Sequence, residues 1–346
     1  MRHRFNDRNV VGLFLLFYCL THAGCERFAG APSKKYRETQ MVMGTIVHLD
    51  VCQDPQNSVE VRKAYAEAWS RLNEISWRMN VWDDRSDVAK INSSQLKPVT
   101  VGADTHYVLD QAIRYSKMTD GAFDISVWPF IKLWKDGEKH NQLPAPDRLQ
   151  EAKKAVGPGN IHLSENNVVQ LLNENTKIDL GGIAKGYAAD EAARIFRKYG
   201  LTDFYIDAGG NIYVGGLNCS KKLWQIGIRD PRNTMNIVDI VSVSNVAVVT
   251  SGNYEQFYDI QNERWSHIID PKTGYPQKEV ISATMIAPTA IEADAFATAL
   301  CVMGASRATR FIEELAGPYA SLVIVRQGST SIKKYPSQSF AELYHQ

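Results

Sequence analysis

The apolar positions along the chain follow two rhythms. From Ser58 to Met79, Val61, Ala64, Ala68, Leu72, Ile75 and Met79 recur three or four residues apart, which predicts a long amphipathic helix. The same spacing predicts helices from Thr105 to Met118, Asp147 to Val156, Ile183 to Tyr199, Ile291 to Met303 and Arg307 to Leu315. Elsewhere the pattern is short and rich in β-branched residues. It predicts strands from Met41 to Val51, Ile161 to Leu163, Val168 to Leu172, Lys177 to Leu180, Phe204 to Val214, Leu223 to Ile228, Ile237 to Val243, Val246 to Val249, Ile281 to Ile286 and Ser321 to Val325. Strands joined by Gly, Asn and Asp turns and interrupted by few helices give an α+β class with mixed, largely antiparallel sheets and packed helices. A soft division falls near Asn175, where the helical half gives way to the strand-rich half.

The N-terminus departs from both rhythms. Arg2, Arg4 and Arg8 precede an apolar run from Val10 to Leu20, too short to span a bilayer comfortably, so residues 1–24 are expected to be an export signal. Leu20-Thr21-His22-Ala23-Gly24-Cys25 resembles a bacterial lipoprotein cleavage site, with His22 where that pattern usually has an aliphatic residue. Lipidation of Cys25 would place the chain on the periplasmic side of the inner membrane. Residues 25–35 would form a tether, and 36–346 the globular region.

Composition adds mainly exclusions. The 346 residues are 44% hydrophobic and carry a net charge of +1, so the chain is not disordered and has no electrostatic footprint for nucleic acid. Cys52, Cys219 and Cys301 are widely separated and odd in number; buried thiols are expected, with one disulfide as the alternative.

Several strings carry candidate chemistry. Asp294 and Thr298 are four apart in a helical pattern and share a face; both offer the hard oxygens that suit Mg²⁺. The same two residues serve equally well as a cap and a back-bonded threonine. His267 precedes the rigid turn string Asp270-Pro271-Lys272-Thr273-Gly274-Tyr275-Pro276, and a histidine fixed near a metal would supply a general base. Asp179-Leu180-Gly181-Gly182-Ile183-Ala184-Lys185-Gly186 leads into a helix whose N-terminal amides favour anions, without matching a Walker loop or a dinucleotide fingerprint.

Taken in order, these strings resemble the FAD:protein FMN transferases, the ApbE-like flavin transferases. The resemblance runs through MGT at Met43 to Thr45, SDVAKIN at Ser86 to Asn92, GAFDISVWPFIKLW at Gly121 to Trp134 and DLGGIAKGYAAD at Asp179 to Asp190. It continues through DAGGN at Asp207 to Asn211, TSGNYE at Thr250 to Glu255, HIIDPKTGYP at His267 to Pro276 and ADAFATAL at Ala293 to Leu300. It implies a two-lobed, T-fold-like architecture with FAD in the cleft. Met43, Trp82, the backbone of Ala122, Phe123 and Asp124, and Asp179, Lys185 and Ile268 would contact the flavin nucleotide. Asp294, Thr298 and the Gly182 carbonyl would hold Mg²⁺, with His267 as base.

The implied reaction is attack by a Thr or Ser hydroxyl of another protein on the FAD phosphorus on the riboflavin side. AMP leaves, and FMN remains in phosphodiester linkage to the acceptor, such as a quinone-reductase or related electron-transfer subunit. Two alternatives stay open: an FAD pyrophosphatase that gives FMN and AMP, and a non-catalytic flavin-binding lipoprotein.

Overall fold

The computed structural model describes residues 34–53, 58–254, 256–328 and 331–343. The export signal, Cys25 and the tether as far as Ser33 lie outside the described residues. The chain enters on a hairpin, β1 (Lys34–Val42) and β2 (Thr45–Gln53). Its two-residue turn, Met43-Gly44, has φ of 55° and 70°, the left-handed pair that matches strand twist. This corrects the single strand expected from Met41 to Val51. The apolar pattern runs on through the turn because a methionine, not an Asn or Gly, occupies its first position.

Next come α1 (Ser58–Arg78), which buries Val61, Ala64, Ala68, Leu72 and Ile75 as their spacing predicts, and α2 (Asp87–Asn92), capped by the Ser86 hydroxyl accepting from the Ala89 amide at 2.9 Å. They are followed by β3 (Val99–Thr100), α3 (Ala103–Met118), α4 (Trp128–His140), α5 (Pro146–Lys153), β4 (Ile161–Ser164), β5 (Val168–Leu171) and α6 (Ala184–Lys198). The expected strand from Lys177 to Leu180 is instead irregular backbone leading into α6, anchored where the Asp179 amide donates to the Ile125 carbonyl at 2.8 Å. Beyond α6 the strands are β6 (Phe204–Ala208), β7 (Asn211–Gly215), β8 (Trp224–Asp230), β9 (Asn233–Val243), β10 (Val246–Gly252), β11 (Phe257–Ile260), β12 (Glu263–Ser266) and β13 (Val280–Ala287). The chain closes with α7 (Ala290–Met303), α8 (Ala305–Glu314), β14 (Ala320–Gln327), β15 (Ser331–Pro336) and α9 (Gln338–Leu343).

Eight strands form one sheet in the order β1-β2-β6-β7-β10-β13-β14-β15, and each neighbouring pair is antiparallel. Both faces of its central strands are covered, which is why those strands read as nearly unbroken apolar runs. Val323 and Val325 of β14 point into the main core, with α1, α6 and α7, while Leu322 and Ile324 point into a second core. That second core is closed by Trp224, Ile226 and Ile228 of β8 and by Phe340 of α9. A third cluster joins Phe130 and Trp134 of α4 to Tyr258, Ile260 and Trp265 of the β11–β12 ribbon.

Cys52, at the end of β2, is disulfide-bonded to Cys219 in the loop after β7. The expectation of buried thiols is therefore wrong for this pair: antiparallel pairing of β2, β6 and β7 brings the two together across 167 residues. Cys301 is buried in α7 and stays outside the disulfide, its thiol 3.5 Å from the Ser251 carbonyl.

Candidate active site

The site begins where α6 crosses α7. A Cβ at Gly186 would lie 2.2 Å from the Ala290 carbonyl oxygen and 2.8 Å from the Asp294 Cβ, so glycine is what permits this approach. Ile183, at the N-cap of α6, supplies no side-chain cap. Asp294, 3% exposed, takes that role from the other helix, its Oδ2 accepting the Gly186 amide at 2.9 Å. Asp190 of α6 returns the arrangement: its two oxygens accept the Ala290 and Ile291 amides at 2.8 and 2.9 Å, at the start of α7. Each helix thus carries an aspartate that caps the other.

Both carboxyls lose hydration. Burial raises the Asp294 pKa, opposed by Lys185 and the Gly186 amide, and burial pushes Asp190 up to about 7. Among the described residues the Asp294 Oδ1 has no hydrogen-bond partner. One turn on, the Thr298 hydroxyl lies 3.2 Å from the Asp294 carbonyl and 3.4 Å from the Ser251 hydroxyl. Gly182 packs against the same hydroxyl; a Cβ there would sit 3.4 Å from Thr298 Oγ1 and 3.4 Å from the Phe123 ring.

Asp294, Thr298 and Gly182 therefore converge as a buried carboxylate, a hydroxyl and a backbone. These hard oxygens fit Mg²⁺, and a cation there would offset the cost of burying the carboxylate. No group of three or more His, Cys, Asp or Glu side chains suited to a metal occurs among the described residues. A cation at this place would thus complete its shell from water or a bound phosphate.

Lys185 links this oxygen set to the rest of the site. Its ammonium donates to the Gly181 carbonyl at 2.8 Å, and its charge acts on Asp294, Asp179 and His267. Asp179 accepts the Gly181 amide at 2.8 Å; burial raises its pKa, countered by Gly181, Lys135 and Lys185. Asp124 is buried and accepts the Ser126 amide and hydroxyl at 2.7 and 2.6 Å, and burial raises it as well. The Ala122 and Phe123 amides are engaged by Thr119, through its carbonyl and hydroxyl respectively, each at 3.1 Å.

A carbonyl can only accept, so the 2.8 Å contact of His267 with the Gln256 oxygen puts the proton on Nδ1 and leaves the Nε2 lone pair available. Burial lowers its pKa, with Lys185 acting in the same direction, so the neutral ring prevails. Ile268 is buried, its amide donating to the Ser266 hydroxyl at 3.1 Å. The loop beyond it closes on itself, Gly274 donating to the Asp270 carbonyl at 2.8 Å, and is fastened to α4 by the Trp134 indole on the Gly274 carbonyl at 2.8 Å.

The same helix carries Trp128 and Lys135. Trp82 is 65% exposed and packs edge-on against Trp128 at 5.0 Å, with the Lys135 ammonium 4.0 Å from the Trp82 ring centroid. Met43 lies apart in the hairpin turn, packed partly buried against the main core, its amide donating to the Ser76 hydroxyl at 3.3 Å. Ser251, Gln256, Trp128, Lys135 and Asp190 were not singled out from sequence. Asp190 could have been, since it sits four residues after Gly186 on α6. Gln256 acts through its backbone and leaves no sequence signal.

Comparison with known proteins gives consistent matches. Residues 43–322 match the ApbE family model. The FAD:protein FMN transferase of Haemophilus influenzae is 29% identical over 344 residues, covering 96% of this chain and 97% of its own. That of Treponema pallidum is 32% identical over 301 residues, covering 82% and 83%. Among solved structures, the ApbE protein of Thermotoga maritima superposes with a TM-score of 0.80 at 31% identity, over 90% of this chain and 100% of its own. The flavin transferase ApbE of Vibrio cholerae gives a TM-score of 0.79 at 28% identity with the same coverage. The chain belongs to the ApbE family.

Proposed function

We propose that this protein transfers FMN from FAD to a Ser or Thr hydroxyl of an acceptor protein and releases AMP. The observation that carries the proposal is the convergence of the Asp294–Thr298–Gly182 oxygen set, Lys185 and a neutral His267. Asp294 Oδ1, Thr298 Oγ1 and the Gly182 carbonyl would hold Mg²⁺, which when bound neutralises charge on the pyrophosphate. Lys185 and the N-terminal amides of α6 favour the phosphates. Met43, Trp82, residues 122–124, Asp179 and Ile268 are the proposed flavin contacts.

A hydroxyl is a weak nucleophile at its free pKa, so His267 Nε2 would take its proton as the new P–O bond forms. The bond between that phosphorus and the bridging oxygen breaks, and AMP leaves with the bridging oxygen and the bond's electron pair. The acceptor is expected among quinone-reductase and related electron-transfer subunits. An exported, periplasmic location with a lipid on Cys25 suits them, and the Cys52–Cys219 disulfide supports an oxidising compartment.

The decisive experiment mixes purified protein, FAD and Mg²⁺ with and without an acceptor domain, and follows AMP release and covalent flavin fluorescence. Acceptor labelling with matching AMP is expected. AMP without labelling would make the chain an FAD pyrophosphatase, and neither product would leave it a flavin-binding lipoprotein. His267→Ala should slow transfer by about 10²-fold or more while retaining FAD, and full activity in that variant would remove it as the base.

A further inference from the structure

Asp294, Thr298 and Gly182 come from α7 and from the approach to α6, but a third element also reaches this oxygen set. Along β10, Ala247 and Val249 point into the main core and Val246 and Val248 toward the second, so the alternation turns Ser251 toward α7. Its hydroxyl, partly buried, lies 3.4 Å from that of Thr298. Its carbonyl accepts the Cys301 thiol at 3.5 Å, one turn further along α7. Ser251 thus meets one face of α7 twice, and pairing with β13 fixes its backbone.

The preceding residue behaves differently. Thr250 faces the other way, and its hydroxyl pairs with that of Thr284 on β13 at 2.8 Å, an ordinary bond between adjacent strands. Opposite Ser251 stands Ala283, which offers no side-chain hydrogen bond, so the serine hydroxyl is left for α7. The valences of the Thr298 hydroxyl then decide how the pair is used. Its single proton goes to the Asp294 carbonyl at 3.2 Å, which can only accept. The Ser251 hydroxyl therefore donates to one Thr298 lone pair, and one lone pair remains. With Cβ counted, three of the four directions around Thr298 Oγ1 are taken.

We propose that Ser251 is a positioning residue of the metal site, holding the Thr298 oxygen so that its remaining lone pair meets the cation; the proposal rests on the reading of Asp294, Thr298 and Gly182 as Mg²⁺ ligands. Threonine in a helix divides between two χ1 rotamers, and a donor that fixes one of them removes an ordering cost from metal binding. Hydrogen-bond partners of metal ligands commonly carry a tenfold or larger effect on metal affinity.

The test follows Mn²⁺, which takes the same octahedral oxygen shell as Mg²⁺, binding to the full protein by electron paramagnetic resonance, a readout that needs no turnover. Ser251→Ala should raise the Mn²⁺ dissociation constant about tenfold, and Ser251→Thr, which restores the hydroxyl, should return it to within about twofold of wild type. Metal-free melting temperatures of the three proteins should agree within about 2 °C. In a Thr298→Val background, Ser251→Ala should have no further effect, because the oxygen it positions is gone. Wild-type affinity in Ser251→Ala would overturn the proposal. So would a tenfold loss that persists in the Thr298→Val background, since Ser251 would then be a ligand itself. An affinity that Ser251→Thr fails to restore would mark a packing role and overturn it too. Wild-type protein that binds no Mn²⁺ at all would sink the metal reading, and the positioning role with it.

Discussion

Asp294 is the residue at which stability and the proposed metal binding conflict. A carboxyl whose folded-state pKa is raised holds protons more tightly in the native than in the unfolded chain, so its ionisation costs stability as pH rises through that interval. Asp294→Asn keeps an oxygen for the Gly186 amide and removes the buried charge. The unliganded variant should therefore be more stable than wild type at neutral pH by about 1 kcal/mol, roughly 2 °C in melting temperature, and Mg²⁺ should no longer raise it. Thermal melts with and without Mg²⁺ check this. A variant less stable than wild type, or one still stabilised by Mg²⁺, would show that the carboxylate is a structural cap and not a ligand.

His267 titrates in the opposite sense. Burial holds its pKa below the usual 6.5, so the rate of transfer should rise with pH through a value under 6.5 and then level off. A pH–rate profile still climbing well above neutrality would exclude it as the base. At this scale the sequence pointed to Asp294 and Thr298 by their spacing and to His267 by its neighbouring turn. Gly182 joined them only through the family resemblance, because spacing carries no sign of its contact with Thr298, which depends on how the approach to α6 packs against the distant α7.

Among elements, α6 and α7 are the unit that matters. They are locked by reciprocal aspartate caps and by a crossing that only Gly186 allows. For Asp190 the interval runs from the ordinary carboxyl value of 3.8 to about 7, and because the native state binds more protons there, stability should fall as pH rises across it. Asp190→Asn should flatten that slope while costing about 0.5–1.5 kcal/mol for one lost amide hydrogen bond, as urea denaturation across this range would show. An unchanged slope would mean that the carboxyl stays ionised throughout.

Both helices were legible, α6 from its regular apolar face and α7 from an unbroken run of alanines and larger apolar residues that is buried nearly all round, and so was the antiparallel character of the sheet. Other elements were not. The β1–β2 turn has methionine where Asn or Gly would announce a bend, and the approach to α6 is apolar because it is buried, not because it pairs as a strand. The α4 helix and the β11–β12 ribbon were hidden in strings dominated by turn residues and aromatics. Their stability comes from one another, through Trp134 and its neighbours Tyr258 and Trp265.

Across the whole molecule, the eight-stranded sheet separates chemistry from reinforcement. One face carries α6 and α7 with the oxygen set; the other carries the β8–β9 ribbon, α9 and the core that includes Cys52. The disulfide could not be read from sequence because its partners are 167 residues apart and an odd set of cysteines offers no spacing rule. Its effect follows from its place: it ties the end of β2 to the loop after β7 and closes a long stretch of chain, which restricts the unfolded ensemble. Cys219→Ser in non-reducing urea titrations, or wild type in titrations that hold a reductant, should each be less stable than the oxidised wild type by about 2–4 kcal/mol. The aspartate caps lie on the far side of the sheet, so FAD affinity measured well below the melting transition should stay within about twofold of wild type. A fall in affinity under those conditions would mean that the sheet transmits strain from one face to the other, and that the site depends on the oxidation state of the chain.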